Sequence, residues 1–423
     1  MILIHSTNPR LSWILAKNPE TQRSTNQPFS VSSYKGKVVG WFVDDNTFKI
    51  MFKDSADGKL SFTDKEFEYL DTSRFASPLI CCAAGRDLLR TAYRDANEHD
   101  TPDYTTTITA WIVASNHGHF SRTVRSTNNV NIQATSVVVG GDLFRVQITS
   151  QSVRHALNAL ILIGYITACN DADVRYMPLG EADIRKYSSM MNLIDAPYYY
   201  RHIFSRTIQS RNLFDQTKEL FTPENMILNY GHSNNHRVDH LSQLVYELTP
   251  KVLHDIGCNT GAYIGALVSK CDTYIGYDVD AGAIHKANLK IQDKKYPNAS
   301  AIVIEHDHQY TCGPSDVVLI TEVLEHIDKE ESLKLLKQLV SAKPKAIVAT
   351  VPNVEFNKYY GIPDGDTRHD DHKWEPTFQE FAAFVLEATC GTDSTVEFIN
   401  VGDGVKEPHA DRFIHSTIGV VIK

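Results

Sequence analysis

The sequence predicts an α/β protein in which a mixed α+β domain precedes a doubly wound, mostly parallel sheet. From Val238 onward, short apolar strands alternate with amphipathic helices, which is typical of a parallel sheet covered on both faces. Before that point, β-branched and aromatic runs are separated by turn residues, which indicates antiparallel hairpins. A length of 423 residues also exceeds one ordinary domain.

The boundary between the two predicted domains lies in a polar stretch. Residues 222–237 read TPENMILNYGHSNNHR and carry Gly, Pro and several Asn, as linkers commonly do. We therefore expect a mixed α+β module at residues 1–222 and a second domain at residues 223–423.

Composition limits the class of function. Hydrophobic residues make up 42% and charged residues 22% of the chain, which indicates a folded globular protein. The formal net charge is −9, whereas a protein that coats long nucleic acid should be basic. The composition does not exclude a local basic patch or a binding site for one nucleic-acid strand end.

Cysteine usage and hydropathy predict a cytoplasmic location. The seven Cys residues include no CxxC pair, which argues against a disulfide framework and favours reduced thiols. The N-terminus lacks the apolar core of a signal peptide. The longest apolar stretch, residues 156–169, is too short to span a bilayer, so we expect a core helix there and no membrane contact.

The N-terminal module contains one segment with two interpretations. Residues 181–220 are predicted to be helical, and the stretch YYYRHIF (198–204) combines aromatic and basic side chains. Such a surface could contact RNA or a protein partner. The alternative is a solvated helix face that packs on the next domain.

A nucleotide-type cofactor site is predicted at the end of the first strand of the second domain. This strand runs into DIGCNTG (255–261), where small residues allow a ligand to approach the backbone. Asp278 ends the next strand, about twenty residues further on, and an acid there suits hydrogen bonding to ribose hydroxyls. The order of glycines is not the GxGxxG of dinucleotide-binding proteins.

The DxGxxxG arrangement resembles motif I of class I S-adenosylmethionine methyltransferases, which have a Rossmann-like fold. The resemblance implies that Asp255, Gly257 and Gly261 surround the methionine end of S-adenosylmethionine and that Asp278 holds its ribose. It also implies that Asp307 lies at the adenine amino group. One departure is Asn259, where this family often has glycine.

A candidate metal site follows the fourth strand, in TEVLEHID (321–328). Glu322, Glu325 and His326 are spaced i, i+3, i+4, so a helical turn would place them on one face. Two carboxylates and an imidazole suit a divalent cation such as Mg²⁺ or Mn²⁺. The alternative is a set of solvated acids at a helix start. RHDDHKWEPT (368–377) offers a fourth ligand, for which both His369 and His372 qualify chemically.

Three motifs together resemble the small-RNA 3′-terminal ribose 2′-O-methyltransferase family: EVLEHID, TVPNVEFN (350–357) and RHDDHKWEPTFQEF, in that order. The resemblance covers roughly residues 238–390. It implies metal ligation by Glu322, Glu325, His326 and His372, and it selects His372 over His369. Trp374-Glu375-Pro376-Thr377 departs from the family's FEWT pattern, which predicts a differently shaped RNA-end pocket near Trp374.

The N-terminal half resembles the amino-terminal module of bacterial members in residues 69–89 and 144–171. In those proteins the module assists a partner with polynucleotide kinase, phosphatase and ligase activities in RNA repair. The resemblance therefore implies an RNA 3′ end as substrate and a repair enzyme as partner.

The predicted reaction is methyl transfer from S-adenosylmethionine to the 2′-hydroxyl of a terminal ribose. A bound cation would acidify that hydroxyl, and vicinal 2′ and 3′ hydroxyls could both ligate it. His326 would be the candidate proton acceptor. Two alternatives stay open: a methyltransferase that acts on a small molecule, and a non-catalytic scaffold subunit of an RNA-repair complex.

Overall fold

The computed structural model describes residues 1–33, 36–54, 76–171, 179–305 and 309–423. These residues form two compact units, Met1–Pro223 and Glu224–Lys423. Within the described ranges, no helix combines the length and apolar character that a membrane crossing requires. Part of the stretch 69–89, which carries the resemblance of the N-terminal half, lies outside the described residues, as does Asp307.

The N-terminal unit contains a seven-stranded antiparallel sheet in the order β2-β3-β4-β1-β5-β7-β6. The predicted antiparallel hairpin is present, since β3 and β4 pair around the polar turn at Asp45 and Asn46. The strands are β1 Ile2–Ser6, β2 Phe29–Ser33, β3 Gly36–Asp44, β4 Thr47–Asp54, β5 Thr106–Val113, β6 Asn131–Ser136 and β7 Leu143–Ser150.

A buried helix, Val153–Asp171, forms the centre of this unit. Its residues from Ala156 to Cys169 are all buried, as expected for a helix that is apolar on every side. Ser152 caps this helix, because its hydroxyl accepts from the backbone N–H of His155 at 3.2 Å. The other helices are Leu11–Ile14, Pro19–Thr25, Pro78–Ala83, Ala84–Leu88 (a π-helical turn), Arg90–Arg94, His117–Thr123, Glu181–Leu193, Tyr198–Arg206 and Arg211–Phe221.

The aromatic and basic stretch at 198–204 is not a surface, which makes both sequence interpretations of it wrong. Its residues from Tyr198 to Phe204 are buried. The Arg201 guanidinium donates to the backbone carbonyls of Ala196 and Phe221, at 2.9 Å each. Arg201 therefore satisfies two backbone carbonyls inside the unit, and its buried charge is not accessible to a ligand.

The C-terminal unit contains an eight-stranded mixed sheet in the order β11-β10-β9-β12-β13-β15-β14-β8. Strands β9 to β13 are parallel and match the predicted alternation with helices. The strands are β8 Met226–Ile227, β9 Val252–Ile256, β10 Thr273–Asp278, β11 Ala299–Val303, β12 Val317–Thr321, β13 Ala346–Pro352, β14 Val396–Lys406 and β15 Phe413–Ile422.

Helices cover both faces of this sheet, which confirms the doubly wound class. Leu241 and Ile284, from two different helices, pack in the apolar cluster on one face, whereas Leu336 and Phe381 pack on the other. The helices are Ser233–Leu248, Ile264–Leu267, Val268–Lys270 (3₁₀), Ala281–Lys294, Leu324–His326 (3₁₀), Lys329–Ser341, Val354–Phe356 (3₁₀), Asn357–Tyr360 and Phe378–Thr389.

The strand order determines which edge of the sheet can bind a ligand. The chain passes from β9 outward to β10 and β11, then returns to β12 on the other side of β9. The loops that follow β9 and β12 consequently diverge and leave a crevice at the carboxyl ends of these strands. The glycine turn after β9 and the ExxEH turn after β12 both lie there.

Candidate active site

A cavity of about 900 Å³ lies at the carboxyl ends of the parallel strands. Two sequence-predicted groups line it from opposite sides. Gly257 and Asp278 come from the predicted cofactor motifs, and Glu322 and His326 come from the ExxEH turn. The fold therefore brings the cofactor motifs and the metal motif to a single cavity.

The turn after β9 requires glycine at two positions. Gly257 and Gly261 have φ angles of +72° and +74°, which side chains rarely adopt. A Cβ on Gly257 would lie 2.3 Å from Cγ2 of Val323, and one on Gly261 would lie 2.4 Å from Cδ1 of Ile264. The glycine turn thus packs directly against Val323, which follows Glu322 in the chain.

Asp278 is fixed at the cavity wall by main-chain groups. Its two carboxylate oxygens accept from the backbone N–H of Asn259 at 2.8 Å and of Asp280 at 3.0 Å. Asn259, the departure from the glycine pattern, has a φ of +48°, a conformation that Asn tolerates better than most residues. Asp278 therefore links the turn after β9 to the end of β10.

Asp255 occupies a different environment, beneath the turn. It is fully buried, and its Oδ2 accepts from the Tyr274 hydroxyl. Its Oδ1 is buried without a hydrogen-bond partner among the described residues. Burial raises the pKa of Asp255 to about 7, and the charge of Asp278 adds to this effect.

The ExxEH sequence folds as a short 3₁₀ turn, Leu324–His326, in place of a longer helical face. Glu322 precedes the turn with a φ of +54°. Its carboxylate binds the Arg237 guanidinium and the Thr350 hydroxyl, each at 3.1 Å. Glu322 thus lines the cavity, but its carboxylate is paired with the Arg237 guanidinium.

Glu325 is the buried member of this turn. Its side chain has no exposed surface, and neither carboxylate oxygen has a hydrogen-bond partner among the described residues. Burial and the neighbouring charge of Glu322 raise the pKa of Glu325 well above its ordinary value. An orphaned buried carboxylate is costly unless a proton or a cation compensates it.

Three predicted ligands come together around this carboxylate. Ligand atoms of Glu325, His326 and His372 all lie within 4.8 Å of one another. The rings of His326 and His372 meet edge to face, with centroids 4.7 Å apart. His369 contacts His372 edge to face, with ring centroids 5.1 Å apart, and is not part of this group.

A buried carboxylate orients His372. Oε1 of Glu375 lies 2.5 Å from Nδ1 of His372, and both side chains are almost completely buried. Glu375 also accepts from the backbone N–H of Arg368 at 2.7 Å and from Nδ2 of Asn357 at 2.6 Å. Burial lowers the pKa of His372, although Glu375 acts in the opposite direction. With Nδ1 engaged, Nε2 is the nitrogen that remains for a ligand.

Arg368 connects the remaining sequence motif to the site. Its guanidinium donates to Oδ1 of Asn357 and to the backbone carbonyl of Asn353, at 2.7 Å each. TVPNVEFN and RHDDHKWEPT are therefore joined by hydrogen bonds that end on His372. Their co-occurrence in the sequence has a structural reason.

Trp374 supports the turn that carries Glu325. Its indole N–H is within hydrogen-bond distance of the backbone carbonyls of Leu324 and Ile327, at 2.9 and 3.1 Å. Its ring packs against Phe384, with centroids 5.2 Å apart. Trp374, which departs from the FEWT pattern, thus helps to hold the turn Leu324–His326 in place.

Four residues of this site were missed in the sequence. Arg237 and Thr350 hold Glu322, Asp371 lies 3.2 Å from Nδ1 of His326, and Glu375 orients His372. Arg237 lies 85 positions before Glu322, and no sequence pattern connects the two. Glu375 did carry a signal, since a carboxylate three residues after a candidate ligand is a common way to orient a histidine.

The fold and the site together define a class I methyltransferase: a parallel sheet with a glycine turn after its first strand, an acid after the second and a cavity at the switch point. In agreement, a methyltransferase domain model matches residues 254–343. The Hen1 N-terminal domain model matches residues 1–225, which is more than half of the chain. The chain therefore belongs to the Hen1 family.

Known relatives agree with this assignment. A protein of Caenorhabditis elegans named small RNA 2′-O-methyltransferase is 30% identical over 86 residues, 20% of this chain and 19% of the relative. The Mus musculus protein of the same name is 24% identical over 181 residues, 39% of this chain and 45% of the relative. The matches thus span less than half of these relatives' length.

One solved structure resembles the whole chain. A chain of the Pnkp1/Rnl/Hen1 RNA repair complex superimposes with a TM-score of 0.74 at 24% identity, covering 100% of both chains. At this identity the likeness shows the fold. The two-unit architecture is therefore one that a solved Hen1-containing complex also contains.

Proposed function

We propose that this protein transfers the methyl group of S-adenosylmethionine to the 2′-oxygen of the 3′-terminal ribose of RNA, with the help of a divalent cation. The observation that carries the proposal is the group formed by Glu325, His326 and His372 beside the 900 Å³ cavity. His326 belongs to this group and also lines the cavity. A ribose bound at the cation would therefore lie next to a cofactor bound in the cavity. The names of the relatives, small RNA 2′-O-methyltransferase, support the same reaction.

The donor set fits Mg²⁺ or Mn²⁺. The two buried oxygens of Glu325 lack partners among the described residues, which a cation would correct. Imidazole and carboxylate ligands together suit Mn²⁺ well, and Mg²⁺ accepts a carboxylate-rich set. When bound, such an ion lowers the pKa of a ligated hydroxyl and fixes its position.

The side chains of the chain have distinct tasks in this proposal. Glu325, His326 and His372 hold the cation, and Glu375 keeps Nε2 of His372 available. Glu322 completes the ligand set once its ion pair with Arg237 is released. With one ring nitrogen on the cation and Nδ1 3.2 Å from Asp371, His326 would have no nitrogen left for the ribose proton, so this proton would pass to solvent. Gly257, Gly261 and Asp278 bind the cofactor.

A terminal ribose offers the chemistry that this arrangement favours. Only the 3′ end of RNA carries vicinal 2′ and 3′ hydroxyls, which can engage one cation at two points. In a 3′-phosphate or an internal ribose the 3′-oxygen is esterified to phosphate, so one of the two hydroxyls is missing. The sulfonium methyl is already activated, so the remaining requirement is alignment with the 2′-oxygen.

We also infer a place in RNA repair for the whole chain. The solved complex that resembles it is named as an RNA repair complex and contains Pnkp1 and Rnl besides Hen1. The N-terminal unit would then bind a kinase–phosphatase–ligase partner. The absence of a CxxC pair in the sequence supports a cytoplasmic location, where thiols stay reduced.

Labelled methyl transfer to a panel of RNAs tests the proposal. The RNAs differ only in the terminal sugar: 2′,3′-diol, 2′-deoxy, 3′-deoxy and 3′-phosphate. We expect label on the diol alone, dependent on Mn²⁺, and lost in Glu325→Ala but kept in the surface control Glu387→Ala. Equal transfer to a 2′-deoxy end, or full activity with a chelator present, would overturn the proposal.

A further inference from the structure

A second cavity, of about 890 Å³, lies within the N-terminal unit and has an unusual lining. Six of its lining residues are cationic and only two, Asp87 and Asp95, are acidic. The cations come from four helical elements of the unit: Arg86, Arg90, Arg94, Arg154, Arg185 and Lys186. None of these residues contributes to the methyltransferase site.

Two of these cations lie on one side of a single helix. Arg90 and Arg94 are spaced i, i+4 in the helix Arg90–Arg94, and four residues of α-helix advance by about 6 Å. Arg86 belongs to the preceding π-helical turn and lines the same cavity. Several positive charges at intervals suit a chain of phosphates better than a single anion.

Only part of this positive charge is neutralised inside the unit. Arg86 pairs with Asp87 at 2.8 Å, and Arg185 and Lys186 pair with acids one helical turn away. In the described part of the chain, by contrast, no carboxylate lies within ion-pair distance of Arg90, Arg94 or Arg154. Arg90 and Arg94 are exposed side chains and therefore remain available to a ligand.

Arg154 is held in place at the cavity wall. Its Nη2 donates to the backbone carbonyl of Arg94 at 2.8 Å, and its Nε donates to that of Tyr93 at 3.4 Å. Two carbonyls orient the guanidinium but do not cancel its charge. A guanidinium that is fixed in advance loses less entropy when it binds phosphate.

The distribution of charge along the chain supports an anionic ligand here. Residues 1–223 contain 24 Lys and Arg against 22 Asp and Glu, whereas residues 224–423 contain 18 against 29. The net charge of −9 thus conceals a positive excess in the first unit. Much of that excess is gathered at this cavity.

We propose that this basic cavity binds the phosphodiester backbone of single-stranded RNA, away from the end that is methylated. The inference rests on the proposed function for its choice of RNA. Arginine side chains bind phosphate oxygens in a bidentate manner, and the cavity is far larger than one phosphate group requires. Backbone contacts of this kind are independent of sequence and position a strand.

Fluorescence anisotropy with the full chain tests this site separately from catalysis. The probe is a short labelled oligoribonucleotide whose terminal ribose already carries a 2′-O-methyl group, measured without cofactor at several salt concentrations. The double variant Arg90→Ala/Arg94→Ala removes two exposed charges. The charge-keeping variant Arg90→Lys/Arg94→Lys and the variant Arg10→Ala/Lys218→Ala, from elsewhere in the unit, are the controls.

We expect the alanine variant to raise the Kd about tenfold and to reduce the slope of log K against log salt by about 1.4, since each phosphate contact on a single strand contributes about 0.7. Both controls should keep the slope of the unaltered protein. An unchanged slope in the alanine variant would overturn the proposed RNA site. Binding of an acidic peptide without binding of the RNA probe would assign the cavity to a protein partner. Absence of methyl transfer to every RNA would instead reject the proposed function and leave this result intact.

Discussion

Glu375 and His372 form a buried hydrogen-bonded pair, with Oε1 and Nδ1 separated by 2.5 Å. The carboxylate is itself held by Asn357 and by the backbone of Arg368. Two sequence motifs thus converge on the orientation of one imidazole. Partners of this kind fix the tautomer of a ligating histidine and raise its basicity.

We therefore predict that Glu375→Gln weakens divalent cation binding about 10- to 100-fold, the range found for such partners of metal ligands. The amide keeps the shape of the side chain but loses the charge that holds the proton on Nδ1. Titration of Mn²⁺, followed by electron paramagnetic resonance, measures the change without any turnover.

The surface variant Glu387→Gln is the matched control, because it removes a carboxylate that pairs only with Lys337 on the protein surface. Its Mn²⁺ affinity should equal that of the unaltered protein. Equal affinity in Glu375→Gln as well would show that the pair serves folding alone.

Glu325→Gln should separate metal binding from stability. The substitution removes a buried charge without partners, so the metal-free protein should unfold at an equal or higher temperature. The unaltered protein should gain about 2.7 kcal/mol at a Mn²⁺ concentration of about 100 times Kd, and the variant should gain almost none. Thermal unfolding with and without Mn²⁺ measures both effects. A variant that is stabilised by Mn²⁺ as strongly as the parent would contradict the ligand assignment.

Gly257→Ala should disturb cofactor binding and the metal turn together. The added Cβ meets Val323 at 2.3 Å, and the backbone already has a φ that alanine rarely adopts. We expect a loss of about 1–3 kcal/mol in stability and at least tenfold weaker S-adenosylmethionine binding by calorimetry. Gly265→Ala is the control, since its Cβ would meet only the Tyr296 hydroxyl at an ordinary 3.5 Å. Similar cofactor affinity for both variants would refute the argument.

Much of the C-terminal fold was predictable because its signals are local. Strand and helix periods alternate over residues 238–353, and the parallel strands β9 to β13 follow them. The long antiparallel strands β14 and β15 were missed. Val396–Lys406 includes Asn400, Gly402, Asp403 and Gly404, and such residues are rare in strands unless pairing with neighbours compensates.

The candidate site was predictable where its residues share one motif. Glu325 and His326 are adjacent, and their chemistry and spacing selected them. His369 and His372 both qualified chemically, and the family resemblance selected His372. The pairing of Glu322 with Arg237 depends on how a distant helix packs, which a linear pattern does not encode. The same limit explains the error at 198–204, because an arginine bound by internal carbonyls looks like a surface arginine in a sequence.

The pKa of Asp255 predicts a pH dependence of stability. Burial raises this pKa from 3.8 to about 7, against the opposing hydrogen bond from Tyr274. Between these two values the folded state binds more protons than the unfolded state, so stability falls as the pH rises through this window. A shift of about three pKa units corresponds to about 4 kcal/mol over the window.

Asp255→Asn should make this fall smaller by the contribution of Asp255, because the amide keeps an acceptor for Tyr274 and has no charge to desolvate. The part that remains belongs to Glu325, whose pKa burial also raises. Urea unfolding at about pH 4 and pH 7.5, followed by Trp374 fluorescence, measures the C-terminal unit when the three N-terminal tryptophans are Phe. The exposed-site variant Asp272→Asn should keep the decline of the unaltered protein. A decline as large in Asp255→Asn as in the unaltered protein would contradict the raised pKa of Asp255 and would require a compensating charge beneath the glycine turn.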